Sequence, residues 1–99
     1  DTLTNNGRGN PVAYTGMSWS GFRPSDDACR YNYLIPSNMF AVVALNHLSE
    51  LPLSDEALKT KAKTLAEEIR VGVETHGKIK HPCLGDVYAY ETDGLGNYH

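Results

Sequence analysis

The sequence predicts an all-α fold fragment in which one inner and one outer helix are joined by long loops. Residues 39–48, "MFAVVALNHL", are apolar on nearly every side, so both faces of a helix there must be covered. Residues 55–76 are apolar on one side only, which is typical of a surface helix. A chain of 99 residues with one surface helix cannot wrap the buried one. We therefore expect a piece of a larger layered helical structure, or of an obligate assembly.

The elements before the inner helix are predicted from turn and cap residues. Glycine, proline and asparagine punctuate residues 1–24, which predicts a loop that is ordered by what it packs against. Ser25 and the two aspartates after it predict a helical turn over residues 26–33. That turn must end before Pro36, because the residue preceding a proline is pushed out of the α region. Ser37 is the predicted N-cap of the apolar helix.

The outer helix is predicted to begin at Ser54, with acidic residues in its first turn, and to stop at Gly77. Its apolar stripe repeats every three or four residues and consists of Leu58, Ala62, Leu65, Ile69 and Val73. Lysine and glutamate on the other face are typical of a solvated surface. From Lys78 onward, turn residues alternate with β-prone pieces, which predicts a loop or small ribbon with "VYAYE" (87–91) extended.

Composition excludes several functional classes. The net charge is −3 and the nine lysines and arginines form no basic stripe, so we expect no nucleic-acid partner. No apolar run approaches the roughly 20 residues that span a bilayer, so we expect no membrane insertion. The histidines lack metal-ligand spacing, and we expect neither a metal ion nor a cofactor. The chain begins at Asp1 without a methionine, so we expect an upstream segment, and the compartment stays unknown.

Two cysteines, Cys29 and Cys83, fit neither a disulfide scaffold nor a zinc site, because no Cys-x-x-Cys pair accompanies them. Buried core thiols are the favoured interpretation. A single bridge between them is the alternative in an oxidising compartment.

Asp26 and Asp27 have two interpretations. A Ser-Asp-Asp sequence at a helix start satisfies free backbone amides and the helix dipole, and from local sequence alone this structural role is favoured. In a functional site, neighbouring helical residues point about 100° apart, so only one aspartate would face a given cavity. Arg23 is then either the structural partner of one aspartate or a fork for ligand hydroxyls.

Aromatic residues cluster around this acidic pair. A sugar ring has an apolar C–H face and a rim of hydroxyls, which flat aromatic platforms with polar neighbours match. The candidate platforms are Trp19, Phe22, Tyr31 and Tyr33, and the candidate hydrogen-bonding groups include Arg23, the two aspartates and Asn38. Core packing is the alternative for each aromatic taken singly.

Three quoted motifs, "SGFRPSDDA", "YLIPSNMFAVVAL" and "VYAYETDGLGN", occur in this order in the chain. In their amino-acid sequences and in their order along the chain, they resemble motifs of glycoside hydrolase family 125, the exo-acting α-1,6-mannosidases. The resemblance spans about Tyr14 to the C-terminus and is weakest across the amphipathic helix. It implies an (α/α)6 barrel, so residues 1–99 would be part of a catalytic domain and not a complete one.

The resemblance also implies a metal-independent, inverting reaction that removes terminal α-1,6-linked mannose from a glycan. One carboxylic acid protonates the departing oxygen, and a second carboxylate, roughly 6.5–9.5 Å away, activates water. The acid falls on Asp26 or Asp27, and the sequence does not decide between them. Glu91 and Asp93 are an alternative pair of carboxylates, and the resemblance places them near the pocket as substrate-binding candidates. Turn chemistry is the alternative for Asp93, and a strand or loop contact is the alternative for Glu91. A helix start and Arg23 would lower an aspartate pKa where a general acid needs it raised, so another feature must compensate.

The family's general base is a glutamate near the C-terminus of the full enzyme, and nothing in this chain corresponds to it. We therefore expect the remaining portion of the same catalytic domain to be a partner, and the isolated chain to be inactive. Two rivals stay open. One is a carbohydrate-binding piece without catalysis, and the other is a helical interaction module.

Overall fold

A computed structural model describes residues 3–52 and 55–99. Two helices dominate it, and short strands follow them. The elements in chain order are α1 (Thr4–Gly7), β1 (Tyr33–Leu34), α2 (Ile35–Glu50), α3 (Glu56–His76), β2 (Lys78–His81), β3 (Gly85–Tyr88) and β4 (Glu91–Thr92). The α1 element is a single turn that contains two left-handed asparagines, Asn5 and Asn6.

Helix α2 begins earlier than predicted, at Ile35, and has Pro36 in its first turn. Proline suits this position because its fixed φ is helical and its missing N–H would have no partner there. The predicted cap at Ser37 is therefore wrong, since this residue lies inside the first turn and Leu34 precedes the helix.

Helix α3 is capped by Asp55, whose Oδ1 accepts a hydrogen bond from the Leu58 N–H at 3.0 Å. The start predicted at Ser54 falls on a residue outside the described ranges. The helix stops as predicted at Gly77, whose N–H donates to the carbonyl of Val73 at 2.7 Å.

The core lies between α2, α3 and the loop before β1. Its buried apolar side chains are Met17, Tyr33, Ile35, Ile69 and Val73, and Met39, Val42 and Leu45 of α2 pack against them. The predicted stripe on α3 is correct for Ala62, Ile69 and Val73, which are buried. Leu58 and Leu65 are instead half exposed, and the buried face of α3 also includes Ala66.

Two small antiparallel sheets make the all-α prediction incomplete. Strand β1 pairs with β4, with Tyr33 opposite Thr92 and Leu34 opposite Glu91. Strands β2 and β3 form the hairpin after α3, so a ribbon is present as predicted. The "VYAYE" segment is split between β3 and β4, because Ala89 and Tyr90 turn the chain from one sheet to the other.

The loop over residues 12–18 is ordered by close backbone contacts on both sides. A Cβ placed on Gly72 of α3 would lie 2.4 Å from the carbonyl oxygen of Thr15, and one on Gly94 would lie 2.6 Å from Thr15 Cγ2. The Ala13 N–H also donates to the carbonyl of Asp93 at 2.8 Å. This loop therefore joins α3 to the segment that carries β4.

Part of helix α2 is left exposed by the described residues. Phe40 is 74% exposed and Val43 is 53% exposed. That the inner helix needs more polypeptide than this chain supplies stays a prediction.

Candidate active site

Asp26 and Asp27 lie at the tip of a tight hairpin and not at a helix start, so the helical turn predicted over residues 26–33 is wrong. The Asp26 N–H donates to the carbonyl of Arg23, and the Arg23 N–H donates to the carbonyl of Asp27, both at 2.8 Å. Pro24 takes the second position of the turn, where its fixed φ is favourable. Asp26 then adopts a left-handed conformation with φ 69°, which aspartate tolerates better than most residues.

Both aspartates are exposed at this tip. The Ser25 hydroxyl donates to Asp27 Oδ2 at 2.9 Å. We name residues 22–28 the acid hairpin, since Phe22 and Ala28 form the bridge that closes it, and we name residues 29–31, which follow it, the return limb. A carboxyl group on such a turn is accessible from solvent.

Arg23 is paired with Glu91 and with neither aspartate. Its Nε donates to Glu91 Oε2 at 2.7 Å and its Nη2 donates to Glu91 Oε1 at 2.9 Å, which is a bidentate fork. The hydrogen bonds to Glu91 raise the pKa of the Arg23 guanidinium. The same guanidinium lies over the ring of Tyr90, 5.3 Å from its centre.

Glu91 is completely buried, with 0% of its surface exposed. Burial alone would raise the pKa of this carboxyl, but hydrogen bonds from Arg23, Cys29 and the backbone of Tyr31 and Arg30 outweigh burial and lower it. Strand β4 fixes the position of Glu91 by pairing it with Leu34. The geometry therefore holds Glu91 as an anion inside the protein.

The two cysteines are free and differ in their environments. Cys29 is buried as predicted, and burial together with its hydrogen bond to Glu91 raises the pKa of its thiol to about 11. The prediction of a core thiol is wrong for Cys83, which is exposed in the turn between β2 and β3.

The predicted aromatic platforms divide into surface and core residues. Trp19 is 42% exposed and Phe22 is 43% exposed, and Tyr31 is partly buried on the return limb of the acid hairpin. Tyr33 is a core residue whose hydroxyl donates to the carbonyl of Ala13 at 2.7 Å.

Two of the predicted polar site residues are satisfied by the protein itself. Asn38 is buried, and its amide bonds to the backbone of Ser18 and Leu34. Asp93 is also buried, and it accepts hydrogen bonds from Leu95 and Asn97 within one turn. Burial would raise the pKa of Asp93, but these hydrogen bonds outweigh it and lower the pKa.

Sequence reasoning missed a buried polar residue beside the acid hairpin. Asn32 is 0% exposed, and its Nδ2 donates to the carbonyl of Ser20 at 2.8 Å, whereas its Oδ1 has no hydrogen-bond partner among the described residues. No local pattern distinguishes this asparagine from those in the surrounding loops, so only the fold identifies it.

The described residues contain no group of three or more histidine, cysteine, aspartate or glutamate side chains placed to hold a metal ion. None of the helices within residues 3–52 and 55–99 combines the length and apolar character required to cross a membrane. A groove of about 490 Å³ lies between α2 and α3, and its lining, which includes Asn46, Lys63 and Glu67, contains none of the predicted site residues.

Known proteins resemble this chain in both sequence and structure. The family model described as "Metal-independent alpha-mannosidase (GH125)" matches residues 1–99. The "Meiotically up-regulated gene 157 protein" of Schizosaccharomyces pombe is 45% identical over 100 residues, which cover 98% of this chain and 20% of that protein. This chain thus spans about a fifth of that relative's length.

A solved structure is similar over nearly the whole chain. It is a metal-independent alpha mannosidase from Streptococcus pneumoniae in a non-productive substrate complex with alpha-1,6-mannobiose. The TM-score is 0.93 at 48% identity, covering 99% of this chain and 24% of that one. With the family match over every residue, these likenesses show that the chain belongs to glycoside hydrolase family 125, the metal-independent alpha-mannosidases.

Proposed function

We propose that this chain is part of the catalytic domain of an inverting exo-α-1,6-mannosidase and that it supplies the general acid and part of the sugar pocket. The domain is an (α/α)6 barrel that residues 1–99 only partly form. The acid is a member of the Asp26–Asp27 pair. The observation that carries the proposal is the acid hairpin, which presents two exposed carboxyl groups on a turn that a buried ion pair holds.

The pairing of Arg23 with Glu91 supports the general-acid role. A general acid must keep its proton near the working pH, and a free cation beside it would favour the ionised form instead. Glu91 accepts hydrogen bonds from both Nε and Nη2 of Arg23, so its negative charge neutralises the positive charge of that guanidinium.

The half-exposed aromatics beside the hairpin form the sugar-binding wall of the proposed pocket. Trp19 and Phe22 have free apolar surface that matches the C–H face of a mannose ring, and Tyr31 lies near them in sequence. Tyr33, Asn38, Glu91 and Asp93 support this wall from the interior, since their polar groups are bonded within the protein.

Polypeptide outside this chain supplies the rest of the site. The proposal requires a second carboxylate that activates water on the opposite face of the sugar. It also requires helices that cover Phe40 and Val43 on the exposed face of α2. Both come from the remaining portion of the same catalytic domain.

The proposal is tested with Asp26→Asn and Asp27→Asn in the full-length protein, assayed on α-1,6-mannobiose. A general acid contributes about 10²- to 10⁴-fold, so one variant should lose activity by that factor while still binding the disaccharide. The same variant should retain far more activity on an α-mannoside whose leaving group needs no protonation. Asp86→Asn, at another exposed hairpin aspartate, is the matched control.

Three outcomes would contradict the proposal. Unchanged turnover in both aspartate variants excludes the acid assignment. Binding of mannobiose by the wild type without any hydrolysis supports a carbohydrate-binding protein instead. Release of α-mannose as the first product, observed by NMR, contradicts the inverting mechanism. An inverting enzyme releases β-mannose from an α-mannoside, whereas a retaining enzyme releases α-mannose.

A further inference from the structure

Glu91 makes more hydrogen bonds to the acid hairpin and its return limb than a substrate-binding group would be free to make. Its Oε1 accepts from Arg23 Nη2 at 2.9 Å, from the Arg30 N–H at 3.1 Å and from the Tyr31 N–H at 3.4 Å. Its Oε2 accepts from Arg23 Nε at 2.7 Å. With 0% exposure, the carboxylate has no surface left for a ligand.

These bonds reach both limbs of the hairpin. Arg23 lies on the limb that enters the turn, and Arg30 and Tyr31 lie on the limb that leaves it, with Asp26 and Asp27 between them. The contact crosses 68 residues of sequence, so it is a tertiary clamp and not local turn chemistry. Strand β4 anchors the clamp in turn, because Glu91 pairs with Leu34 at the entrance to α2.

We infer that Glu91 is a positioning residue for the general acid: it holds Arg23 of the acid hairpin and the backbone of the return limb, and it neutralises the side chain of Arg23, whose backbone forms the turn with Asp26 and Asp27. This inference rests on the proposed function. It differs from a substrate-binding role for Glu91 because it requires no contact with the sugar. It also differs from a purely structural role because it requires the negative charge of Glu91 as well as its position.

The other charged and titratable groups around the pair come from three segments. Cys29 and Arg30 lie on the return limb, and the Cys29 thiol, with a pKa of about 11, is neutral at the pH of an assay. Tyr90 stacks on Arg23, and the ring of His99 contacts Tyr90 at 6.4 Å between centres. Glu91 is thus the anion that faces Arg23 among these groups.

The clamp predicts a specific change in the pH profile. The alkaline limb of kcat/KM reports the acid that must stay protonated in the free enzyme. In Glu91→Gln the guanidinium loses its counter-ion, and an unmatched cation near the aspartates favours their ionised form. We expect the alkaline limb to shift by about half to one unit toward lower pH.

Two further variants separate the effect of the negative charge of Glu91 from the effect of its position. In the double variant R23Q/E91Q no unmatched cation remains, so the alkaline limb should return toward that of the wild type even though more hydrogen bonds are lost. Glu91→Asp keeps the charge but shortens the side chain, so it should leave the limb in place while kcat falls roughly ten- to hundredfold through misplacement of the acid.

Glu67→Gln is the matched control. Glu67 also receives a bidentate fork, from Arg70 at 2.9 and 2.6 Å, but this pair lies exposed on α3. It should leave both the profile and kcat unchanged. Far-UV circular dichroism of every variant separates loss of folding from loss of activity. If E91Q does not fold, the limb of E91D and of the double variant is compared with the wild type.

The outcomes divide cleanly. A limb that moves in E91Q and returns in the double variant supports the inference. When E91Q is unfolded, a fall of kcat in E91D with an unmoved limb supports it, and an E91D variant with the kcat of the wild type or with a shifted limb overturns it. An E91Q profile that superimposes on the wild type, or a shift that the double variant increases, overturns it. Both results assume an active wild type in which an aspartate variant is impaired; a wild type without mannosidase activity refutes the proposed function itself.

Discussion

Gly72→Ala tests the close contact between α3 and the loop over residues 12–18. In an exposed helix interior this substitution would stabilise the protein by about 1 kcal/mol, because glycine is a poor helix former. Here the new Cβ would lie 2.4 Å from the Thr15 carbonyl oxygen and 2.9 Å from Met17 Cγ. An ordinary carbon–oxygen contact is about 3.3 Å or longer, so the helix and the loop must separate by nearly 1 Å.

The loop has little freedom to make that movement. Its backbone is held to Asp93 at Ala13 and to Asn38 at Ser18, both at 2.8 Å. Overpacking of a constrained site costs about 1–3 kcal/mol, and the gain in helix propensity offsets less than half of the upper value. Because the site is constrained, we expect the upper part of that cost, about 2–3 kcal/mol, so after the propensity gain of about 1 kcal/mol Gly72→Ala should lower the free energy of unfolding by about 1–2 kcal/mol.

Chemical denaturation of the full-length protein, followed by far-UV circular dichroism, measures this change. Thr64→Ala, at an exposed position of the same helix, is the control for helix propensity and should be neutral or slightly stabilising. If Gly72→Ala proves as stable as Thr64→Ala, then α3 does not approach the loop as closely as described, and the reasoning fails.

Two further predictions concern titration and thiol chemistry. The folded-state pKa of Asp93 lies below its usual value of 3.8, so its contribution to stability is complete above about pH 4.5 and is lost as the pH falls through the folded pKa. Asp93→Asn should therefore destabilise the full-length protein near neutral pH. The denaturation midpoints of the variant and the wild type should move closer together below about pH 3, and a difference that stays constant with pH would contradict this. Cys83 should react with a thiol reagent at about pH 8, while Cys29 should stay unmodified until the protein unfolds. Peptide mass mapping measures the labelling of each cysteine, and equal labelling of both would refute the burial of Cys29.

Local patterns predicted the two long helices for different reasons. A continuous apolar run indicated α2, whereas a periodic apolar stripe indicated α3 and its buried positions Ala62, Ile69 and Val73. The stop of α3 follows from Gly77. Strand β1 escaped prediction, and β4 was predicted only at Glu91, because two residues are too short for an alternating pattern. Their pairing is determined by tertiary contacts between Tyr33 and Thr92 and between Leu34 and Glu91.

The candidate site shows the same division between local and long-range information. The sequence identified Asp26, Asp27 and Glu91 as chemically interesting, but it predicted a helix start where the structure has a hairpin. Proline, serine and aspartate occur in both settings, and the cross-strand bonds of Arg23 decide in favour of the hairpin. The partner of Arg23 was not predictable, since nothing local distinguishes Glu91 from the two nearer carboxylates.

The distance along the chain between Arg23 and Glu91 has a consequence for the order of folding. During synthesis the two aspartates emerge long before Glu91, which follows Arg23 by 68 residues. Contacts that close such long loops form late, because the entropy of closure must be overcome first. A nascent chain that has completed both long helices therefore still lacks the contact between Arg23 and Glu91, and the hairpin is fixed only when β4 pairs with β1.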